Sequence, residues 1–97
     1  MNGLLKDILD RLGNITDPET GRRLDSTNLI LDVDFLQDGT IQIVYSPFSP
    51  ASPVAVNLGK EIRSAALTAT PDKRVRVVCQ GHLMDELVNR LVNENVE

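Results

Sequence analysis

Three prolines at regular spacing constrain the middle of this chain more than any other feature. Pro47, Pro50 and Pro53 lie in the stretch YSPFSPASPV, between an alternating segment and a helical one. Each proline fixes φ at about −65° and lacks a backbone N–H donor, so the stretch can be neither a central strand nor a helix interior. The sequence therefore predicts a shaped loop between a strand and a helix.

The residues around the third proline predict where that helix begins. Ser52 occupies the position of an N-cap, whose hydroxyl accepts a hydrogen bond from a free amide of the first turn. Pro53 suits the first helical position, which needs no N–H. The helix is expected to begin at Pro53, with its free amides facing the loop. This geometry favours an anion or a thiolate, but the loop supplies only a hydroxyl.

Apolar residues at helical spacing predict a first helix near the N-terminus. Asn2 is the expected cap and Gly13 the expected end. The apolar stripe consists of Leu4, Leu5, Ile8, Leu9 and Leu12. Residues 14–27 contain turn formers and no apolar period, so they are expected to form an ordered surface loop without a packing role.

Two segments of alternating apolar residues predict a β-hairpin. Asp38 and Gly39, which lie between them, favour a tight turn. Alternation with period two places one set of side chains on a single face of the sheet. The expected buried face consists of Leu29, Leu31, Val33, Phe35, Ile41 and Ile43.

The second half of the chain predicts a helix, a strand and a last helix. Val54, Leu58 and Ile62 recur every four residues in the first of these, and close approach of another backbone would explain Gly59 inside it. The strand spans residues 73–79, and its buried face is Val75, Val77 and Cys79. The last helix is marked by Leu83 or Met84, Leu87 or Val88, and Leu91 or Val92, after Gly81 and His82 and with Asp85 and Glu86 in its first turn.

These elements predict one α/β (α+β) domain over residues 1–97, in the order α-β-β-α-β-α. A strand, a crossover helix and a parallel strand form a βαβ unit, here preceded by a hairpin partner. The sheet is therefore expected to be mixed and three-stranded, with the helices mainly on one side. The pattern leaves open whether the third strand lies beside the second or the first.

Composition excludes several classes of function. The net charge of −4 and the three aromatic residues argue against a nucleic-acid binder. No apolar run approaches the length of a membrane span, and the N-terminus lacks the basic start of a signal peptide. A single cysteine excludes an internal disulfide and suits a reducing compartment. We expect a cytoplasmic protein with protein or metal partners.

Short motifs along the chain occur in a recognisable order and spacing. They are Asp17-Pro18-Glu19, Ser52-Pro53, Leu58-Gly59, Ile62-Arg63, Gly81-His82, Glu86 and Val88-Asn89. Together they resemble the metal–sulfur cluster assembly family, which includes the SUF-pathway accessory component, a small component of the phenylacetate pathway and the eukaryotic cytosolic iron–sulfur targeting factor. The resemblance covers most of the chain and implies a part in iron–sulfur protein maturation.

Two residues depart from the pattern of the family that the chain resembles. Ser52 stands where the family's reactive cysteine would be, and Phe48 stands where a threonine usually precedes it. A hydroxyl is a poor ligand for iron and, without an adjacent base, a weak nucleophile. The resemblance therefore implies an adaptor or a divergent member, to which an iron–sulfur cluster would bind only transiently.

Several candidate residues also have structural interpretations. An N-cap is favoured for Ser52, since the chain has no G-x-S-x-G motif and His82 is its only histidine. Cys79 and His82 are the candidate metal ligands, but a complete site needs about four. Alternation places Cys79 beside Val77, which favours a buried thiol. A capping role at the last helix is favoured for His82.

Several other polar and charged residues have structural interpretations as well. Asp17 and Glu19 could act as paired carboxylates, but a turn explains them. Asn89 and Arg90 are expected on the solvated face of the last helix. The basic residues that are expected to protect an edge strand from pairing are Lys73, Arg74 and Arg76.

The sequence thus predicts a non-enzymatic accessory or adaptor protein of iron–sulfur cluster assembly and target maturation. It would contact assembly or client proteins through the Phe48–Gly59 loop and helix start. One alternative is a metal-binding or cluster-carrying protein that uses Cys79 and His82. Another is a maturation component of a phenylacetate-type oxygenase pathway. The sequence leaves the client and a homodimer open.

Overall fold

The computed structural model describes residues 3–94, and the elements within them follow the predicted α-β-β-α-β-α order. They are α1 (Gly3–Gly13), β1 (Ile30–Phe35), β2 (Ile41–Tyr45), α2 (Ala55–Ala69), β3 (Val75–Cys79) and α3 (Asp85–Val92), with a 3-10 turn at Leu24–Ser26. The α+β class is confirmed. Asn2, the predicted cap, lies outside the described residues. None of the helices in residues 3–94 is long and apolar enough to cross a bilayer.

The sheet has the strand order β1-β2-β3. β1 pairs antiparallel with β2 through the turn at Gly39, whose φ of 91° suits glycine. β3 pairs in parallel with β2, so that Tyr45 lies opposite Cys79. The third strand therefore lies beside the second, and α2 is the crossover between them.

One face of the sheet carries the core. Alternate residues of β2 and β3 are buried, as their period predicted, and each helix adds residues to the same cluster. Its fully buried members include Ile41, Ile43, Tyr45, Val75, Val77, Ile8, Leu58 and Ile62. The opposite face carries Gln42, Val44 and the exposed Arg76, and Val44 is also buried, at 9% exposure. Helix packing mainly on one side is thus confirmed.

The predicted buried face of β1 is wrong in two places. Leu31 is 51% exposed and Phe35 is 45% exposed. A β-bulge lies between Ile30 and Asp32, and it inserts Leu31 as an extra residue opposite β2. Such an insertion interrupts the strict alternation on which the prediction relied. Phe35 is opposite Ile41 but lies on the outer strand, where the core does not cover it.

The loop of residues 14–27 does have a packing role, contrary to expectation. Leu24 is only 3% exposed and belongs to the core. Its backbone N–H donates to the Ile15 carbonyl at 2.8 Å, and a short bridge joins Thr16 to Arg23. A single apolar residue has no period to reveal it, so the sequence did not identify this contact.

Both later helices begin further along the chain than predicted. α2 begins at Ala55, and its N-cap residue is Val54, whose carbonyl accepts the Leu58 N–H at 2.9 Å. α3 begins at Asp85, so Leu83 and Met84 precede it; they are 78% and 57% exposed instead of marking its buried face. The buried residues of α3 are Val88 and Val92.

Gly59 is explained by side chains and not by another backbone. A Cβ atom at this position would lie 2.5 Å from the Tyr45 hydroxyl oxygen and 2.6 Å from Cγ2 of Val92. Real Cβ contacts are not this short, so only glycine lets α2 approach both residues. The glycine thus sets the distance from α2 to the sheet and to α3.

The outer edge of β3 is occupied by amide side chains of α3. Asn89 Oδ1 accepts the Cys79 N–H at 2.5 Å, and its Nδ2 donates to the Cys79 carbonyl at 3.4 Å. Asn93 bonds in the same way to Val77, at 2.9 and 2.6 Å. Each amide therefore replaces the backbone of a neighbouring strand. The predicted solvated position of Asn89 is wrong, whereas Arg90 is exposed as predicted.

Replacing Gly59 by alanine is expected to destabilise the fold by about 1–3 kcal/mol, because overpacking outweighs the helix-propensity gain of about 1 kcal/mol. Urea unfolding measures the free energy of unfolding. Tyr45→Phe removes the hydroxyl that the added methyl group would meet, so Gly59→Ala should destabilise the fold less in that background. An equal cost in both backgrounds would show that Tyr45 does not set this contact.

Replacing Asn89 by alanine is expected to cost about 1–3 kcal/mol, because it leaves the N–H and carbonyl groups of Cys79 without partners. Hydrogen exchange of the Cys79 amide should also be faster in the Asn89→Ala chain. Arg90→Ala, which changes an exposed neighbour on the same helix, is the matched control and should change the free energy of unfolding by less than about 0.5 kcal/mol.

Candidate functional site

The loop of residues 46–54, here called the proline loop, lies at the carboxyl end of the parallel strands. β2 and β3 end side by side, so the segment that follows β3 runs next to this loop. The Gln80 N–H donates to the Tyr45 carbonyl at 2.9 Å, and the Leu83 N–H donates to the Pro50 carbonyl at 2.8 Å. The two segments thus form one surface.

Ser52 is built into the proline loop as a turn residue. It is 4% exposed, and its N–H donates to the Ser49 carbonyl at 3.1 Å. Its hydroxyl oxygen accepts the Val54 N–H at 3.3 Å. The predicted N-cap role of Ser52 is wrong, because Val54 is the N-cap residue and α2 has no side-chain capping bond. The Ser52 hydroxyl instead satisfies the Val54 N–H just before the helix. Pro53 is exposed beside it.

His82 joins the two segments through both ring nitrogens. Nδ1 accepts the Met84 N–H at 3.0 Å, so Nε2 carries the proton and donates to the Ser52 carbonyl, also at 3.0 Å. This arrangement assigns the neutral imidazole to one tautomer. Because Met84 lies before the first turn of α3, His82 fixes the segment that precedes the helix and does not cap the helix itself. Neither nitrogen is free to bind a metal while these bonds persist.

Asp17 organises the turn that contains the Asp17-Pro18-Glu19 motif. Its side chain is 1% exposed and accepts three hydrogen bonds, from the Glu19 N–H at 3.3 Å and from the N–H and hydroxyl of Thr20 at 3.2 and 2.7 Å. Pro18 is exposed at the tip. A carboxylate that accepts this many local donors explains the motif as a turn, as predicted.

Glu19 extends from that turn to the proline loop. One carboxylate oxygen, Oε2, accepts the Ser49 hydroxyl at 2.8 Å. The other, Oε1, is buried without a hydrogen-bond partner among the described residues. Glu19 therefore holds the loop at Ser49, whereas His82 holds it at the Ser52 carbonyl. It does not share a substrate position with Asp17, whose oxygens are occupied within the turn.

Cys79 is a buried thiol on the core face, as predicted. It is 1% exposed, in line with Val75 and Val77. Burial raises the pKa of the Cys79 thiol, the Tyr45 hydroxyl opposes this rise, and the charge of Asp85 adds to it. The metal-binding form of cysteine is the thiolate, which this environment disfavours.

The structure brings together part of the predicted set. Asp17, Glu19, Ser52, Pro53 and His82 lie around the proline loop, linked through Ser49 and the Ser52 carbonyl. Three others have structural contacts of their own: Gly59 lies against Tyr45, Asn89 bonds to Cys79 on the β3 edge, and Arg63 Nε donates to the Val75 carbonyl at 3.2 Å. Glu86 is exposed on α3. Among residues 3–94, no three His, Cys, Asp or Glu side chains cluster as a metal site would require.

The sequence predicted Phe48 in the contact surface, but it did not predict that Leu83 and Met84 are exposed beside the loop. Phe48, Leu83 and Met84, here called the apolar rim, are 64%, 78% and 57% exposed. Helical spacing predicts a buried helix face for Leu83 or Met84, and the Gly81-His82 turn was the signal against it, since Gly81 has a φ of 81°. Phe48 belongs to no periodic element that could bury it. The rim stands next to the residues that the motifs share.

Comparisons with known proteins agree with the motifs. A family model described as an iron–sulfur cluster assembly protein matches residues 5–78. An uncharacterized protein of Methanocaldococcus jannaschii is 25% identical over 89 residues, which cover 92% of this chain and 94% of that protein. A crystal structure of a domain of unknown function, DUF59, from Bacillus anthracis has a TM-score of 0.70 at 18% identity, and the match covers 95% of this chain and 90% of that one.

The last of these likenesses shows a shared fold. The family model goes further, because it spans well over half of the chain, from α1 to β3. The segment it matches includes the Asp17-Pro18-Glu19 turn and the whole proline loop. The chain therefore belongs to the iron–sulfur cluster assembly protein family.

Proposed function

We propose that this chain is a non-enzymatic accessory or adaptor protein that helps mature iron–sulfur proteins in the cytoplasm. It acts by contacting assembly or client proteins through the surface formed by the proline loop, the apolar rim and the start of α2. The proposal rests on one observation. At this surface the apolar side chains are exposed, whereas the polar side chains are occupied by hydrogen bonds within the protein.

The polar groups of the surface form hydrogen bonds that hold its shape. The Ser52 hydroxyl accepts a backbone N–H, and both nitrogens of His82 bond to backbone groups. The thiol of Cys79 is buried and has a raised pKa. Soft thiolates are the usual ligands of iron in clusters, and this loop presents none. These observations favour contact with proteins over stable cluster carriage.

The apolar rim supplies what a protein contact needs. Phe48, Leu83 and Met84 are each more than half exposed, and two of them follow His82 directly. Aromatic and methionine side chains are enriched in protein interfaces. The Ser49 hydroxyl donates to Glu19, and His82 donates to the Ser52 carbonyl, so two bonds hold the loop backbone beside the rim. An ordered surface loses less entropy when a partner binds.

Anaerobic reconstitution with iron and sulfide separates the adaptor from a cluster carrier. The natural chain and Cys79→Ser are expected to retain no cluster after desalting, whereas Ser52→Cys, which places a thiolate just before α2, should retain more iron than the natural chain does. If the natural chain holds a cluster that Cys79→Ser loses, it is a carrier that uses the alternative Cys79 and His82 site, and the adaptor proposal fails.

A complementation experiment in cells tests the apolar rim directly. In cells that lack the natural gene, the Phe48→Ser and Leu83→Ser chain should fail to restore the activity of iron–sulfur enzymes. Arg90→Ser, which changes an exposed residue of α3 outside the rim, is the control and should restore it. Equal restoration by both chains would contradict a role for the rim.

The raised pKa of Cys79 predicts a loss of stability at alkaline pH. The folded chain retains the thiol proton to a higher pH than the unfolded chain, so this stabilisation is complete below about pH 8.5, the ordinary thiol value. It is lost progressively as pH rises above that value. Urea unfolding between about pH 7 and pH 10 measures it. Cys79→Ala should show a shallower decline, and an unchanged decline would contradict the assignment.

A further inference from the structure

The outward backbone groups at the two edges of the sheet differ in their hydrogen-bond partners. At the β3 edge, Asn89, Asn93 and Arg63 bond to the outward backbone groups. At the other edge, β1 pairs with β2 alone. Within residues 3–94, the nearest side-chain bonds to backbone reach only Leu29 and Thr40, which flank the strand. The edge of β1 therefore offers free N–H and carbonyl groups, which another strand can pair with.

The hairpin ladder identifies which groups are free. The Leu36 N–H donates to the Thr40 carbonyl at 2.8 Å, which makes Leu36 a bonded position. In an antiparallel ladder, bonded positions alternate with unbonded ones. Val33 and Phe35 are therefore unbonded positions, and their N–H and carbonyl groups point away from β2. The bulge at Leu31 limits this straight edge to residues 32–35.

The two faces along this edge differ in character. Asp32 and Asp34 are exposed on the face away from the core, and they lie opposite Val44 and Gln42. The ion pairs found among residues 3–94 do not include either of these acids. A strand laid along β1 would place every second side chain beside these two carboxylates.

The other face opens into an apolar groove between α1 and β1. Its volume is about 250 Å³, and it is lined by Leu5, Leu9, Ile30, Leu31, Asp32 and Val33. Leu9 and Leu31 are 46% and 51% exposed, although both are large apolar residues. The intervening side chains of an added strand would point into this groove. The edge therefore favours a segment that alternates basic and apolar residues.

We propose that the free edge of β1 is a docking site for an extended segment of a partner protein, in which Lys or Arg alternates with apolar residues. The segment adds a fourth strand by pairing with Val33 and Phe35. Its basic side chains lie beside Asp32 and Asp34, and its apolar side chains enter the α1–β1 groove. This surface is separate from the proline loop and does not depend on the function proposed for that loop.

Charge decides against a second copy of the chain at this edge. Two β1 strands paired antiparallel over residues 32–35 would bring the acids of both copies onto neighbouring positions. Like charges at facing positions of a strand pair are destabilising. Acidic residues on an open edge are a recognised protection against self-pairing, and here they also select a basic partner.

The test uses the full chain and a blocked heptapeptide in which lysine alternates with valine. Amide chemical shifts of Val33 and Phe35 and methyl shifts of Leu5 and Leu9 are followed during titration. We expect saturable shifts confined to these residues. The Asp32→Lys and Asp34→Lys chain should bind this peptide about tenfold more weakly, and it should bind the corresponding glutamate peptide more tightly than the natural chain does.

Two controls separate strand pairing from attraction between charges alone. Glu61→Lys with Glu94→Lys makes the same charge change on exposed positions of α2 and beyond α3, and it should leave binding unchanged. N-methylation of alternate peptide residues removes the pairing donors but retains the charge, so binding should be lost. Binding that survives methylation, that both double variants weaken equally, or that shifts residues of the proline loop instead would overturn the proposal.

Discussion

The buried side chain of Tyr45 fixes the relation between the sheet and α2. Tyr45 ends β2, and its hydroxyl donates to the carbonyl of Ala55, the first residue of α2, at 2.6 Å. Burial raises the pKa of Tyr45 far above its usual value, and Cys79 adds to the rise, so the hydroxyl keeps its proton and remains a donor. This bond joins the two residues that flank the proline loop, and Gly59 makes the close contact with Tyr45 feasible. The two ends of the loop are therefore held together.

The proline loop is then held by residues from distant parts of the chain. Glu19 bonds to Ser49 from the N-terminal turn, and His82 bonds to the Ser52 carbonyl from the segment after β3. The polar residues that the family motifs share thus maintain a shape, while Phe48 and its neighbours in the apolar rim meet the solvent. This division of tasks is what supports the contact surface proposed above.

The edges of the sheet show a second division of tasks. Side-chain amides of Asn89 and Asn93 close the β3 edge as a neighbouring strand would, and this also attaches α3 to the sheet. The β1 edge stays open but is guarded by a bulge and by Asp32 and Asp34. A small domain of this kind can therefore present two separate surfaces, one at the carboxyl end of the parallel strands and one along the hairpin.

The sequence by itself determined the elements, their order, the buried faces of β2 and β3, and the buried thiol of Cys79, because alternation and helical spacing are local consequences of burial. It also predicted the turn at Asp17, since the side chain of that residue bonds to nearby backbone. Only the tertiary structure decided the place of β3 beside β2, the exposure of Leu31, the burial of Leu24 and the task of Asn89. The physical reason is that each of these depends on a partner that lies far away in the chain or on a bulge, and neither leaves a periodic pattern in the sequence.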